Sequence, residues 1–336
     1  MSSSFDIAVV GATGLVGETL LNILAERDFP VGRLIPLASS RSAGRTVNFG
    51  GQAIPVQILD DFDFDKVSFA LFSAGASVSA AHAPRAVEAG AWVIDNTSQF
   101  RYDPAIPLVV PEVNGHVLKA TPGIIANPNC STIQMVMALA PIHRAVGIER
   151  INVATYQAVS GAGRSAVERL RQDAQVRLAG QEPDSNGAGL SIAFDAVPQI
   201  DVFMDNGYTK EEMKMVWETR KILEDESIMV NPTSVRVPVF YGHSEAIHIE
   251  TRTKVTVPQV QKLLNSTPGV QVFDERAPGG YPTAVSQGAH RDSVFVGRIR
   301  EDISHPRGIN LWVVADNLRK GAALNSVQIA ETLANT

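Results

Sequence analysis

At 336 residues the chain exceeds the roughly 100–200 of one average domain, so two domains with sizeable cores are expected. Its 45% hydrophobic and 19% charged residues, without repeats or low-complexity stretches, exclude a disordered or fibrous class, and a net charge of −6 excludes the concentrated basic face of a nucleic-acid or anionic-membrane binder. No apolar stretch approaches the ~20 residues of a spanning helix, and residues 1–6 carry neither the charged nor the apolar region of a secretory leader, so a cytoplasmic location is expected.

Short apolar runs at residues 5–10, 34–38, 69–72, 92–95 and 123–126 alternate with helical patterns, which predicts an α/β architecture around a parallel, doubly wound sheet. Leu15, Leu20, Leu21 and Leu24 fall at helical spacing within 15–27, and 80–89 reads as a shorter helix stopped by Gly90. Residues 60–65 are acidic and aromatic without a clear period, which fits a loop or a short helix. Beyond Cys130 the texture changes. Residues 131–145 predict a helix that Pro141 kinks or ends. Longer alternating runs follow at 151–160, 234–240, 246–253, 294–300 and 310–315, with helices at 164–178, 210–224 and 258–265, so the second domain reads as α+β. Thr209 and Glu212 form a capping box at the start of the middle helix, each side chain serving the other residue's unpaired backbone donor. Residues 180–190, rich in Gly, Asn, Asp and Ser, read as a surface loop. A last helix spans 318–333 with Leu324, Val327, Gln328 and Ala330 available to one face, and the pattern alone does not say where it docks.

Gly11-Ala12-Thr13-Gly14-Leu15-Val16-Gly17 follows the first apolar run directly and leads into a helix. Glycines there let the backbone approach a pyrophosphate, and a helix N-terminus offers unpaired N–H groups and a positive dipole end. The spacing is G-x-x-G-x-x-G, and by itself it also suits a tight strand-to-helix turn that binds nothing. The second strand ends in Ser39-Ser40-Arg41-Ser42. NAD-selective folds commonly place a carboxylate here to hold the ribose 2′-hydroxyl; a guanidinium flanked by hydroxyls suits a 2′-phosphate instead, which favours NADP(H). The plain alternative for Arg41 is a solvated loop charge.

The single cysteine cannot close an intramolecular disulfide, so it is either a small core residue or a nucleophile. Cys130 lies in Asn127-Pro128-Asn129-Cys130-Ser131-Thr132, where a strand ends and a helix begins. A thiol at a helix N-terminus has its pKa lowered by the dipole and the unpaired N–H groups. A thiolate beside a nicotinamide points to an acyl-enzyme route, in which sulfur attacks an activated acyl group and hydride reduces the thioester to an aldehyde. Among seven histidines, His243 in Tyr241-Gly242-His243-Ser244-Glu245 reads as part of a glycine-containing turn between apolar strands, a place from which loops deliver catalytic groups. A lone loop histidine is about as often ordinary surface.

GATGLVG at 11–17, SSRSAG at 39–44, NPNCSTIQM at 127–135, YQAVSGAG at 156–163, EEMK at 211–214, RVPVFYGHSEA at 236–246 and DNLRKGAALNSVQIAE at 316–331 together resemble the aspartate-semialdehyde dehydrogenase family from end to end. The resemblance implies a Rossmann-type doubly wound parallel sheet with an α+β catalytic and dimerisation domain. It implies an NADP-binding domain of residues 1–127 and 318–336, the C-terminal helix returning to it, and a catalytic, dimer-forming domain of 128–317. It further implies that Cys130 attacks L-aspartyl 4-phosphate, inorganic phosphate leaves, and NADPH reduces the thioester to L-aspartate 4-semialdehyde, with His243 as acid/base. By the same carry-over Gln157 lies next to the thioester, Arg236 binds the substrate α-carboxylate, Glu211 its ammonium, Arg101 and Lys214 the phosphate, and Asn129 belongs to the substrate-binding set. Gly11, Thr13, Gly14, Leu15, Val16, Arg41, Ser42, Ser160, Gly161 and Asn317 are the implied contacts to NADP(H). A homodimer is implied as well, with no metal ion, nucleic acid or membrane as partner.

Elementary chemistry agrees with this sorting, since a planar guanidinium grips a carboxylate at two points and a lysine offers phosphate a compact charge. Glu211 and Lys214, three apart on a predicted helix, share a face, though they also suit a solvated ion pair. Arg236 has the plain alternative of an edge-strand charge, and Gln157 that of a hydrogen-bonded core amide. The rival enzyme family is N-acetyl-glutamyl-phosphate reductase, against which Glu211 discriminates because a free ammonium wants a carboxylate and an acetamido group does not. Glyceraldehyde-3-phosphate dehydrogenase shares the thioester logic with a less similar nucleophile motif. A rival of another class is a non-catalytic dimeric paralogue, expected to have lost Cys130 or His243.

Overall fold

The computed structural model describes residues 4–184 and 190–335, which fall into two compact units, Met1–Asn129 with Ala322–Thr336 and Cys130–Gly321. Of the expected loop 180–190, residues 185–189 lie outside the described residues, as do residues 1–3 of the chain's start.

The first unit runs β1 (Phe5–Val10), α1 (Leu15–Glu26), β2 (Val31–Ala38), β3 (Thr46–Phe49), β4 (Gln52–Pro55), β5 (Gln57–Ile58), β6 (Phe69–Phe72), α2 (Ala76–Glu88), β7 (Trp92–Asp95), α3 (Pro111–Asn114) and β8 (Ile124–Ala126). Its main sheet has the order β5-β2-β1-β6-β7-β8 with every pairing parallel. A parallel sheet covered on both faces needs strands that are apolar at every position. Accordingly Ile7 and Val9 of β1 join one core cluster and Ala8 and Val10 the other. Strand order reverses between β1 and β6, and the crevice at the carboxyl ends of such a reversal is where open α/β sheets bind ligands.

The sequence reading missed the antiparallel β3–β4 hairpin, which turns on Gly50-Gly51 with φ of +55° and +83°. Residues 60–65 form turns with no helix, and Phe64 is buried there against Phe62 and Phe72. The last segment is not one helix over 318–333: a π-helical turn, Arg319–Ala323, precedes an α-helix, Leu324–Ala334. That C-terminal helix belongs to the first unit and packs on α1, with Leu324, Val327, Ala330 and Leu333 joining Leu20, Ile23 and Leu24. Arg27 and Glu331 add a two-bond pair at 2.7 Å each, which at this exposure contributes at most about 1 kcal/mol.

The second unit runs α4 (Cys130–Val146), β9 (Ile148–Gln157), α5 (Arg164–Leu178), α6 (Lys210–Leu223), β10 (Met229–Arg236), β11 (His243–Thr251), α7 (Val257–Asn265), β12 (Val270–Val272), β13 (Val294–Glu301) and β14 (Gly308–Ala315). The mixed sheet has the order β10-β9-β11-β14-β13-β12. Helix α4 continues through Pro141 and is apolar nearly all round, as a helix packed against β9, β11, β13, β14 and α6 must be. Several strands differ from the sequence reading: the strand expected at 151–160 spans Ile148–Gln157, and β12 was not anticipated. The strand expected at 234–240 occupies Met229–Arg236, because Pro232, which argues against a central strand, is tolerated on this edge strand. The strand expected at 246–253 begins at His243. Among the described residues no helix is long and apolar enough to cross a membrane.

Candidate active site

In the second unit β9 and β10 run parallel with Gln157 opposite Arg236, while β11 runs antiparallel to its neighbours with His243 opposite Ala315. Gln157, Arg236, His243 and the Asp316-Asn317 pair that follows β14 therefore share one edge of the sheet. Cys130 is the first residue of α4, the helix that packs on β11, so its half-buried thiol sits at a helix N-terminus. Gly321 lies against it: a Cβ there would come within 2.8 Å of Cys130 Cβ. Arg236 is within electrostatic reach of Cys130, a second positive influence that favours thiolate.

His243 departs from expectation, for it is a fully buried strand residue and not part of an exposed turn. The turn before it depends on Gly242, whose φ is +88° and where a Cβ would meet Ala284 O at 2.8 Å. Ala158 N–H donates to His243 Nδ1 at 3.0 Å. The neutral ring consequently carries its proton on Nε2, which has no partner among the described residues. Burial pulls the His243 pKa down to about 3, Arg236 lowers it further, and Glu211 and the Gly242 backbone oppose. At neutral pH the ring is therefore uncharged and presents Nε2–H as a donor. Gly161 keeps the space beside it open: a Cβ there would stand 3.4 Å from Arg236 Nη1 and 3.6 Å from His243 Nε2.

Glu211 is buried and bridges two groups, accepting from Gln157 Nε2 at 3.2 Å and from Lys214 Nζ at 2.9 Å. Lys214 also donates to Asp201 at 2.9 Å. Burial by itself would lower the lysine's pKa, but the Glu211 and Asp201 carboxylates outweigh it and hold the ammonium above its usual value. The i,i+3 ion pair anticipated as a plain alternative is thus present, within the same cluster as Gln157. The capping box fixes the start of α6 beneath it, with Thr209 N–H donating to Glu212 Oε2 at 2.7 Å and Ser234 N–H to Glu212 Oε1 at 2.9 Å. Arg236 Nη1 donates to Ala158 O at 2.7 Å, and burial draws its pKa down against the pull of Glu211 and Cys130. Ser160 Oγ and Asn317 bond at 2.9 Å, and Asn317 Oδ1 accepts from Gly242 N–H at 2.9 Å. Two of the expected cofactor residues are thereby tied to the turn that precedes His243. Asp316 anchors the arrangement by accepting from the backbones of His290, Leu318 and Arg319.

Gly11, Thr13, Gly14, Leu15, Val16, Arg41, Ser42, Arg101 and Asn129 lie in the first unit. A Cβ on Gly17 would overlap Gly11 O, so the loop closes only around glycine. Gly14 caps α1 with no side chain, which leaves the first N–H groups of the helix available to an anion. Thr13 Oγ1 and Ser42 Oγ meet at 3.5 Å, placing this loop beside the turn that holds exposed Arg41, and residues 39–45 contain no carboxylate. The residues present fit a dinucleotide. Arg101 is buried and donates to Asn96 O at 2.7 Å; Asn129 is buried directly before Cys130. Among the described residues no cluster of three or more His, Cys, Asp or Glu side chains is placed to hold a metal ion.

Sequence reasoning missed a buried amide network at the carboxyl ends of β7 and β8. Asn127 Nδ2 donates to Asn96 Oδ1 at 3.1 Å, Asn325 Nδ2 to Asn127 Oδ1 at 2.7 Å and Ser326 Oγ to Asn96 Oδ1 at 3.0 Å. Beside it Asp95 is fully buried; burial pushes its carboxyl up while Thr97, Ser79 and Arg101 oppose. The available signal was polar Asp95-Asn96-Thr97-Ser98 ending an apolar strand, since strand ends of this sheet type carry function.

Residues 6–121 match the family model described as semialdehyde dehydrogenase, NAD binding domain, and residues 139–320 match semialdehyde dehydrogenase, dimerisation domain. An aspartate-semialdehyde dehydrogenase of Legionella pneumophila is 59% identical over 99% of this chain and 96% of its own length. Aspartate semialdehyde dehydrogenase II of Vibrio cholerae, solved in complex with ASA, is 57% identical with a TM-score of 0.96, covering 99% of both chains. The Candida albicans aspartate semialdehyde dehydrogenase solved with NADP is 26% identical with a TM-score of 0.77, again over 99% of each chain. With the α/β and mixed-sheet units and the cysteine–histidine edge already in place, these matches along nearly the whole length establish that the chain belongs to the aspartate-semialdehyde dehydrogenase family.

Proposed function

We propose that the chain catalyses the NADPH-dependent reductive dephosphorylation of L-aspartyl 4-phosphate to L-aspartate 4-semialdehyde through a thioester on Cys130. The observation that carries the reading is Cys130 on the first turn of α4 in one unit with Gln157, Glu211, Arg236 and neutral His243. Cys130 thiolate attacks the acyl carbon, the C–O bond to phosphate breaks, and phosphate departs with that electron pair. NADPH, when bound, would supply the hydride that reduces the thioester carbon. His243 Nε2–H donates a hydrogen bond to the oxygen that gains charge in that step, and Gln157 lies along the same strand edge to orient the acyl group. When the hemithioacetal oxyanion collapses, the C–S bond breaks and Cys130 thiolate is restored. Hydride addition and collapse return Cys130 as thiolate without net proton uptake, while the departing phosphate takes up one proton to become hydrogen phosphate, so the cycle consumes one proton overall and the uncharged His243 ring serves the reduction by donating Nε2–H.

Arg236 is proposed to hold the substrate α-carboxylate and Glu211 its ammonium, with Lys214 and Arg101 serving the phosphate and Asn129 completing the substrate-binding set. Arg41 and Ser42, with no carboxylate at the end of β2, support NADP(H) over NAD, as does the nucleotide named for the Candida relative. Gly11, Thr13, Gly14, Leu15, Val16, Ser160, Gly161 and Asn317 complete the proposed nucleotide contacts. The nucleotide-binding role is assigned to the first unit and the catalytic role to the second. A homodimer is proposed through the sheet face on which Asn152, Ala154, Tyr156, Ala246, His248 and Trp312 stand outward and partly exposed, a reading supported by the dimerisation-domain match.

The test is the reverse reaction, followed as reduced nicotinamide from NADP and aspartate semialdehyde. Activity that requires phosphate and is abolished in Cys130→Ala is the expected outcome. A folded wild-type protein that binds NADPH yet gives no such signal would sink the substrate assignment.

A further inference from the structure

Glu245 takes no part in the scheme above and is unusual for a carboxylate. It is fully buried on β11, both of its oxygens lack a hydrogen-bond partner of ordinary length and angle among the described residues, and so does Nε2 of Gln134 on α4. An isolated buried carboxylate is strongly disfavoured, so such a group needs a partner or a proton. Gln134 is the side chain whose amide bears on it.

The placement of this pair relative to the site is regular. Glu245 follows His243 by two residues on β11, so both point to the same face of the sheet, and Gln134 follows Cys130 by four on α4, so both lie on one face of the helix. Two strand residues advance ~6.8 Å and four helical residues ~6 Å. Helix α4 packs on β11, and the Gln134–Glu245 pairing lies one helical turn beyond Cys130 on the one and two residues beyond His243 on the other.

We propose that Glu245 is a positioning residue, whose pairing with Gln134 fixes the helix that carries Cys130 to the strand that carries His243. This rests on the thioester reading of those two residues. Burial pushes the Glu245 carboxyl well above its usual range and neither oxygen has a donor of ordinary geometry among the described residues, so the proposed form is the neutral acid. A neutral acid and a carboxamide close a cyclic pair: the acid O–H donates to Gln134 Oε1 and Gln134 N–H donates to the carbonyl oxygen of the acid. One proton on Glu245 thereby satisfies every polar atom left open by the two side chains, and the contact becomes directional where plain apolar packing would not be. Catalytic geometry is sensitive to such directionality, since a misplacement of about 1 Å costs about 100-fold in rate.

Infrared spectra of the wild type and of Glu245→Gln at neutral pH test the protonation. The expected difference is one protonated-carboxyl carbonyl band, present in the wild type and missing from the variant; no such difference overturns the proposal. Kinetics test the positioning. Glu245→Gln, which can pair amide to amide, should keep kcat within about threefold, whereas Glu245→Leu should lose on the order of 100-fold in kcat with KM for both substrates nearly unchanged. Alkylation of Cys130 by iodoacetamide across pH, which needs no substrate, should shift to higher pH in Glu245→Leu and stay in place in Glu245→Gln. A folded Glu245→Leu with wild-type kcat and an unmoved alkylation profile overturns the proposal, as does a Glu245→Gln that loses as much as Glu245→Leu. If Glu245→Leu fails to fold, the infrared difference and the Glu245→Gln kinetics still decide. Should the wild type prove inactive on aspartyl phosphate, the infrared and alkylation results stand separately from that failure.

Discussion

His243 holds its pKa near 3 against an ordinary 6.5, because burial disfavours the charged ring. Between those values an unfolded chain binds more protons than the native one at this residue, so its contribution to stability declines as pH falls through that window. The melting temperature of the wild type is expected to drop more steeply from neutral pH to about 4 than that of His243→Gln, measured by thermal unfolding. In turnover, His243→Ala should lower kcat by about 10²–10³-fold, the usual cost of removing one donor to a developing oxyanion. A wild-type kcat that climbs as the medium is acidified would instead show imidazolium to be the working form. Cys130 was legible from sequence because its meaning is local: a strand end, a proline and a helix start surround it. His243 was legible as a candidate but not as a buried neutral ring, since its hydrogen-bond donor Ala158 and the charges that bear on it, Arg236 and Glu211, come from distant segments. Glu245 gave no signal, because the sequence places it in the turn before the strand expected at 246–253, where a carboxylate reads as a solvent-facing charge.

Helix α6 shows how an element places chemistry. Its capping box sets the first turn, on which Glu211 stands, and Glu212 is also bonded to β10 through Ser234 N–H. Thr209→Ala should cost about 1 kcal/mol of stability, read by denaturant unfolding, and should raise KM for the amino-acid substrate by loosening Glu211. An unchanged KM in a destabilised variant would separate the cap from the site. The box was visible in the spacing of Thr209 and Glu212, as were most helices and the parallel strands β1, β2, β6, β7 and β8, whose continuous apolar runs leave few alternatives. Strand β10 was not, for Pro232 contradicts a strand until its edge position is known. The β3–β4 hairpin was concealed by two short, mostly exposed strands, although Gly50-Gly51 marked the turn.

At the scale of the whole molecule, Ala154 tests the proposed dimer, since it lies midway along β9 on the outward face beside Ala246. Ala154→Arg should halve the mass seen by light scattering; a mass that stays dimeric would move the interface elsewhere. The helix Leu324–Ala334 closes the core of a unit whose other strands and helices all lie before Cys130. A ribosome making this chain therefore releases the first unit with Leu20, Ile23 and Leu24 lacking their last cover, and must translate nearly two hundred further residues before that cover arrives. The first unit begun is in this sense the last completed. Nascent chains spend that interval with an apolar groove exposed, the kind of surface that holdase chaperones bind and that favours aggregation at elevated temperature.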